Sequence, residues 1–326
     1  MKYRKFSDLG WKVSEIGLGC WEIGGNWGDV SEFNAKELLK KSLDQGINFF
    51  DTADVYGDGK SEKLLGNLIK STSEKIFVAT KTGRRLRPHT PEGYNQKNIE
   101  EFIDRSLINL QIDCIDLVQL HCPPSEICSK KETYEMMDEI VKKGKIEHYG
   151  VTVHKLSDAI EAIQFPNVKS IQLVFNIFRQ KPAENFLKEA KSKNIAIIAR
   201  GPLASGLLTG TISKDTKFPK NDHRAYNING NAFDIGDTFS GVNFEKGLAA
   251  VKRLKELLPK NFTLTDLALK WILMHNEVSV VIPGAINKSQ VKMNTQAPNL
   301  EDISSLMKKI NSIYDELIKP DVYNRW

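Results

Sequence analysis

Eight short apolar runs recur along almost the whole of this 326-residue chain, each followed by a stretch of helical period or by a long loop. They fall at 16–19, 47–50, 76–80, 115–120, 146–151, 171–175, 195–199 and 279–282. Runs this short, bounded by polar residues and glycine, have the length and composition of buried strands. Between them, 31–45, 96–110, 131–143 and 183–193 carry helical spacing. In 34–43, Leu38, Leu39 and Leu43 share one face, and Gly46 stands where a left-handed residue ends a helix. Thr263-Leu264-Thr265-Asp266 has the form of a capping box opening a further helix. Strands alternating with helices imply a parallel α/β protein. An open doubly wound sheet and a closed barrel both satisfy that pattern, and a count of eight favours the (β/α)8 TIM barrel.

No linker, short repeat or low-complexity tract interrupts the pattern, so one barrel domain spanning 1–326 is expected. Residues 2–13 alternate and turn at Asp8-Leu9-Gly10, as an N-terminal β-hairpin closing the bottom of the barrel would. The stretch 201–243, after the seventh strand, is too long for a plain βα loop; it is rich in Gly, Asn and Asp, which marks it as functional or partly disordered. The net charge of +5 comes from lysines spread among acids. No basic stripe with interleaved aromatics is present, which argues against a nucleic-acid partner and leaves attraction of an anionic cofactor as the simpler account. Cys20, Cys114, Cys122 and Cys128 form no C-x-x-C pair and read as free thiols in a reducing compartment. With no apolar leader and no membrane-length run, the expectation is a cytoplasmic protein without a membrane partner; the pattern does not specify an oligomer.

In a barrel, reactive side chains gather just past the C-terminal ends of the strands. Those positions hold Asp51, Lys81 and His121, and Tyr56 follows on the loop after the second strand. A free phenol, with a pKa of about 10, is a poor proton donor near neutrality. A neighbouring ammonium would lower that value, a carboxylate would hold the ammonium, and an imidazole could orient a carbonyl oxygen. Cys122, next in sequence to His121, is expected to point away along the strand, and no pair of residues has metal-ligand spacing. Gly17-Leu18-Gly19 is followed by Glu22 where a third glycine would complete a Rossmann fingerprint. Gly59-Lys60-Ser61 lacks the first glycine of a P-loop, since Asp54 occupies it. Ile282-Pro283-Gly284-Ala285, leading toward Lys288, Gln290 and Asn294, has the place of a barrel phosphate site. Trp21, Trp27, Tyr56, Phe175 and Phe178 could form an aromatic pocket.

These residues sit in motifs that resemble the aldo-keto reductase superfamily, in its bacterial and archaeal form. The motifs are GINFFDTADVYGDGKSE at 46–62, TKTG at 80–83, LVQLHCP at 117–123, GVT at 150–152, PLASGLLTG at 202–210 and VIPGA at 281–285. The resemblance implies reversible NAD(P)H-dependent reduction of aldehydes or ketones, with NADPH as cofactor and NADH as the alternative. It implies Tyr56 as general acid, Lys81 tuning it, Asp51 pairing with Lys81, and His121 orienting the carbonyl, with Trp21 and Trp27 beside a small carbonyl substrate. It places Thr152 and Gln172 on the nicotinamide amide and Gly19, Cys20 and Trp21 at the mouth near the ribose and substrate, with Asp51 also among the cofactor-binding residues. Arg200, Gly201, Pro202, Leu203, Ser205 and Gly206 would follow the ring and pyrophosphate. Ile282, Gly284, Lys288, Gln290 and Asn294 would lie toward the adenosine. Three positions depart from the family pattern: Val153 where Asn is common, Arg200 where a tyrosine often stacks, and Ile286 where an arginine often grips the 2′-phosphate. A cofactor-loaded sensor or regulatory subunit on the same fold is the alternative function; an isomerase or lyase using the same groups is a third.

Overall fold

The computed structural model describes residues 1–25, 27 and 30–326. An antiparallel hairpin, β1 (Tyr3–Phe6) and β2 (Trp11–Ser14), opens the chain, with Phe6 opposite Trp11. Eight strands follow: β3 (Leu18–Gly19), β4 (Phe49–Asp51), β5 (Phe77–Thr82), β6 (Ile115–His121), β7 (Ile146–Thr152), β8 (Val168–Val174), β9 (Ala196–Arg200) and β10 (Val278–Val281). Each pairs in parallel with the next, in sequence order. The ring closes where the Gly17 N–H donates to the Val281 carbonyl at 2.8 Å and the Val281 N–H to the Glu15 carbonyl at 2.9 Å. Glycine is required at that seam: a Cβ on Gly17 would lie 2.9 Å from the Phe49 carbonyl oxygen.

The expected (β/α)8 barrel, hairpin and long seventh loop are therefore present, with strand limits displaced by up to three residues. The largest displacement is at β8, which begins at Val168 rather than 171. Lys169 and Ser170 hide its start, where the Ser170 hydroxyl fills the space beside Gly150, 2.1 Å from where a Cβ would sit. Helices Glu32–Asp44 and Gln96–Leu110 match their expected spans within a residue. Gly46 takes φ +80° after the first of them. The capping box forms, the Asp266 N–H donating to Thr263 Oγ1 at 3.1 Å and the Thr263 N–H to Asp266 Oδ2 at 2.8 Å. Among the described residues no helix is long and apolar enough to cross a membrane.

Side chains alternate across a strand, so each barrel strand feeds two cores. Phe50, Val78 and Val118 face outward to the helices. Phe49, Phe77, Ala79, Leu117, Ile198 and Val280 face inward and pack on Phe6 and Val13 of the hairpin. Phe6 stacks on Phe49 at 5.4 Å and Trp11 on Phe77 at 4.6 Å, which plugs the lower end. Continuing the inward parity upward reaches Asp51, Lys81, Gln119 and His121. Register aligns Lys81 with Gln119, His121 with Thr152, and Thr152 with Gln172. The polar layer above the plug is thus built by parity and register together.

Candidate active site

Asp51 is the hub of that layer. Lys81 Nζ donates to Asp51 Oδ1 at 2.5 Å and to the Thr52 carbonyl at 2.8 Å. Gln172 Nε2 and Gln119 Nε2 donate to Asp51 Oδ2 at 2.7 and 3.2 Å. The ion pair is buried, with side-chain exposures of 1% for Lys81 and 4% for Asp51. Buried charges persist only when paired and hydrogen-bonded, a condition this network meets. Gln119 was not among the expected site residues; it stands two positions before His121 on β6, so strand alternation alone would have found it.

Tyr56 overhangs the layer, its hydroxyl 3.4 Å from Lys81 Nζ. His121 meets the Tyr56 ring edge-on, with centroids 6.1 Å apart. The expected lowering of the phenol's pKa is not what this environment produces. Burial pushes Tyr56 well above its ordinary value, the Asp51 carboxylate adds to the rise, and Arg200 opposes it. The Lys81 charge is taken up by Asp51, so the phenol keeps its proton. Burial, reinforced by Lys81 and Arg84, pushes His121 well below its ordinary value and keeps the imidazole neutral. His121 Nδ1 is buried without a partner, which leaves Nε2 as the nitrogen open to the space above.

That space is a cavity of about 760 Å³, at the large end for small-molecule sites. Asp51, Tyr56, Lys81 and His121 form its floor with Thr152 and Gln172. Of the expected cofactor residues, Gly19, Cys20, Trp21, Arg200, Gly201, Pro202, Leu203, Ser205, Gly206, Ile282, Gly284, Gln290 and Asn294 also line it. Lys288 does not. Its ammonium is 3.1 Å from Glu37 on the outer surface, drawn there by the facing helix Glu32–Asp44.

Two further expectations are corrected. Phe175 and Phe178 are fully buried outside the barrel, Phe175 packing on Trp271 at 5.1 Å, so the aromatic lining is Trp21, Trp27 and Tyr56 with Tyr226 and Phe233 instead. Cys122 does not point away from His121. The chain leaves β6 at His121 and Cys122 takes φ +46°, which breaks the strand alternation and turns it into the cavity wall. Arg200 Nη2 lies 3.9 Å from its sulfur and 3.2 Å from His154 Nδ1. Burial would raise this thiol, but His154 and Arg200 prevail and bring it below its ordinary value.

The stretch 201–243 forms the upper wall. Arg200 is ion-paired with Asp237, Ser205 Oγ donates to the Asp237 carbonyl at 3.1 Å, and Asn176 Nδ2 donates to Ser240 Oγ at 2.8 Å. Buried His223 packs its ring 4.5 Å from Trp27 and 4.9 Å from Trp21. Asp237 and Glu22 were also missed. Glu22 lines the cavity and packs over Gly284, where a Cβ would come within 1.7 Å of its carboxylate.

The aldo/keto reductase family model matches residues 15–315. Aldo-keto reductase YhdN of Bacillus subtilis (strain 168) is 31% identical, covering 99% of this chain and 96% of its own. The NADP(+) aldo-keto reductase yakc of Schizosaccharomyces pombe is 28% identical over 93% of this chain and 89% of its own. A probable voltage-gated potassium channel subunit beta of Oryza sativa subsp. japonica is 30% identical over 91% of each. Among solved structures, the holo form of aldo-keto reductase AKR11C1 from Bacillus halodurans superposes with a TM-score of 0.76 at 28% identity, covering 100% and 99% of the two chains. By the family match over nearly its whole length, the chain belongs to the aldo/keto reductase family.

Proposed function

We propose that this protein reduces aldehydes or ketones to alcohols, reversibly, with NADPH as hydride source and Tyr56 as proton donor. The observation that carries this reading is the arrangement of Tyr56, Lys81, Asp51 and His121 at the floor of one cavity, with Tyr56 Oη 3.4 Å from a buried, carboxylate-bound ammonium. The donor set suits a nicotinamide. The Gln172 amide N–H groups are committed to Asp51 and to the Gln119 carbonyl, so its own carbonyl, which accepts from Thr152 Oγ1 at 3.4 Å, is available to a carboxamide. When bound, the reduced nicotinamide supplies the hydride.

The protein's part is then to position the carbonyl and move a proton. His121 Nε2–H donates to the carbonyl oxygen and holds it toward Tyr56. The phenol O–H transfers its proton to that oxygen as negative charge develops there. Lys81, otherwise neutralised by Asp51, stabilises the phenolate left behind. Trp21 and Trp27 exclude water from the reacting atoms. The segment 201–206 would follow the pyrophosphate, and Gly284, Gln290 and Asn294 the adenosine end. With Ile286 exposed and Lys288 outside the cavity, no lysine or arginine lines that end among the described residues, so NADH is the alternative cofactor.

Tyr56→Phe removes the proton and little else. Carbonyl reduction, followed as NADPH oxidation over aldehydes, ketoses and quinones, should fall about 100-fold or more. NADPH affinity, read by tryptophan fluorescence, should stay within about twofold, since the hydroxyl contributes to the transition state rather than to cofactor binding. Retained turnover would remove Tyr56 from the role. A cofactor-loaded regulatory subunit is the second reading, kept because of the channel-subunit relative; rapid turnover of a small aldehyde by the wild-type protein would exclude a purely regulatory role.

A further inference from the structure

Among the described residues, five cationic side chains line the cavity: Lys81, Arg84, Arg87, Arg200 and Arg224. Three are neutralised where they stand, Lys81 by Asp51, Arg200 by Asp237 and Arg224 by Asp222. Arg84 is different. It lies three residues beyond Lys81, half-buried, with no ion pair and no side-chain hydrogen bond among the described residues. Its neighbour Arg85 turns away from the cavity to Asp58, at 2.6 Å. Arg87 has no carboxylate partner either, and its Nη1 donates to the Arg84 carbonyl at 2.9 Å, which ties the two guanidinium-bearing residues together.

Arg84 also sits at the reacting end of the cavity. Its charge is felt at His121 and at Asp237, whereas Arg224 stands beside Ser205 on the segment assigned to the pyrophosphate. A half-buried guanidinium without a counter-charge is poorly solvated, and it gains most from an oxyanion that can accept two parallel N–H bonds. We infer that the substrate is a carbonyl compound that carries an anionic oxyacid group, a carboxylate or a phosphate, and that Arg84, assisted by Arg87, binds it. This inference rests on the carbonyl-reductase reading.

The test compares matched pairs at constant ionic strength: 4-oxobutanoate with butanal, and glyceraldehyde 3-phosphate with glyceraldehyde. The wild-type protein should favour at least one charged member by about tenfold or more in kcat/KM, and which pair shows the preference tells carboxylate from phosphate. Arg84→Gln should collapse that charged-to-neutral ratio about ten- to hundredfold, mainly through KM, with Arg84→Lys intermediate. A ratio near one in the wild type, or one that Arg84→Gln leaves intact, overturns the inference while reduction of neutral aldehydes leaves the parent reading standing. Absence of turnover on all four aldehydes leaves the parent reading to the ketose and quinone screen. The inference is then decided by titrating tryptophan fluorescence with succinate and with inorganic phosphate. Binding that weakens about tenfold in Arg84→Gln supports it, and no binding, or equal binding in both proteins, overturns it.

Discussion

At neutral pH the Tyr56 phenol and the His121 imidazole are both uncharged, for opposite electrostatic reasons with one common cause. Burial raises the first and lowers the second, since each shift suppresses the charged form. A donor that keeps its proton until charge appears on the substrate suits the proposed reduction, in which Lys81 would stabilise the phenolate once that proton has moved. Cys122 obeys a different balance, because His154 and Arg200 outweigh its burial. Cys20, by contrast, is pushed up by burial and by Asp51, and burial also raises Cys128. Iodoacetamide at neutral pH should therefore label Cys122 before Cys20 or Cys128 in the folded protein, as read by peptide mass spectrometry. Equal labelling of the three would show that His154 and Arg200 do not make Cys122 the more acidic thiol. The sequence placed Cys122 beside His121, but its direction depended on a positive φ that no local pattern announces.

At the scale of elements, the loop from β4 to helix Lys60–Ser71 carries both Tyr56 and a buried acid, Asp54. Neither Asp54 carboxylate oxygen has a hydrogen-bond partner among the described residues. Burial, with Glu62 adding to it, pushes Asp54 up to about 7. The folded protein then holds this proton to higher pH than the unfolded chain does. Stability should fall as pH rises from the ordinary carboxylate range, about 4, to about 7, and level off above it. Asp54→Asn keeps the shape and removes the charge. The two proteins should melt alike near pH 4, and the variant should be more stable at pH 8 by roughly 3–4 kcal/mol. Parallel melting curves across that range would mean that Asp54 ionises as freely in the fold as outside it. The loop was legible as the carrier of Tyr56, since DTADVYGDGKSE lies directly after an apolar run. The cost of Asp54 was not, because it depends on what closes over it.

Across the whole molecule, the hairpin and the cavity occupy opposite ends of the barrel and share its inward-facing side chains. Phe6 is fully buried between Trp11 and Phe49, so Phe6→Ala should cost roughly 3–5 kcal/mol in urea unfolding. A loss under about 1 kcal/mol would show that the plug is dispensable. The eightfold alternation and the strand-end positions of Asp51, Lys81 and His121 were readable from the chain, because the periods of 2 and 3.6 are properties of neighbouring residues, whereas closure was favoured by the count of eight alone. Tyr56 was readable for the same reason, four residues past Thr52. The pairing of Lys81 with Asp51 was implied by the resemblance, but the other contacts of these side chains were not readable. Gln119 and Gln172 reach Asp51 from 68 and 121 residues away, and Asp237 reaches Arg200 from a loop with no regular period. Which arginine faces the cavity was settled in the same way: Arg84 and Arg85 are alike in sequence, and Asp58 together with the Asp54 carbonyl draws Arg85 away. The sequence alone determined where charged groups would be presented. The tertiary structure decided which of them are neutralised, because pairing and burial depend on distances that only the closed barrel creates.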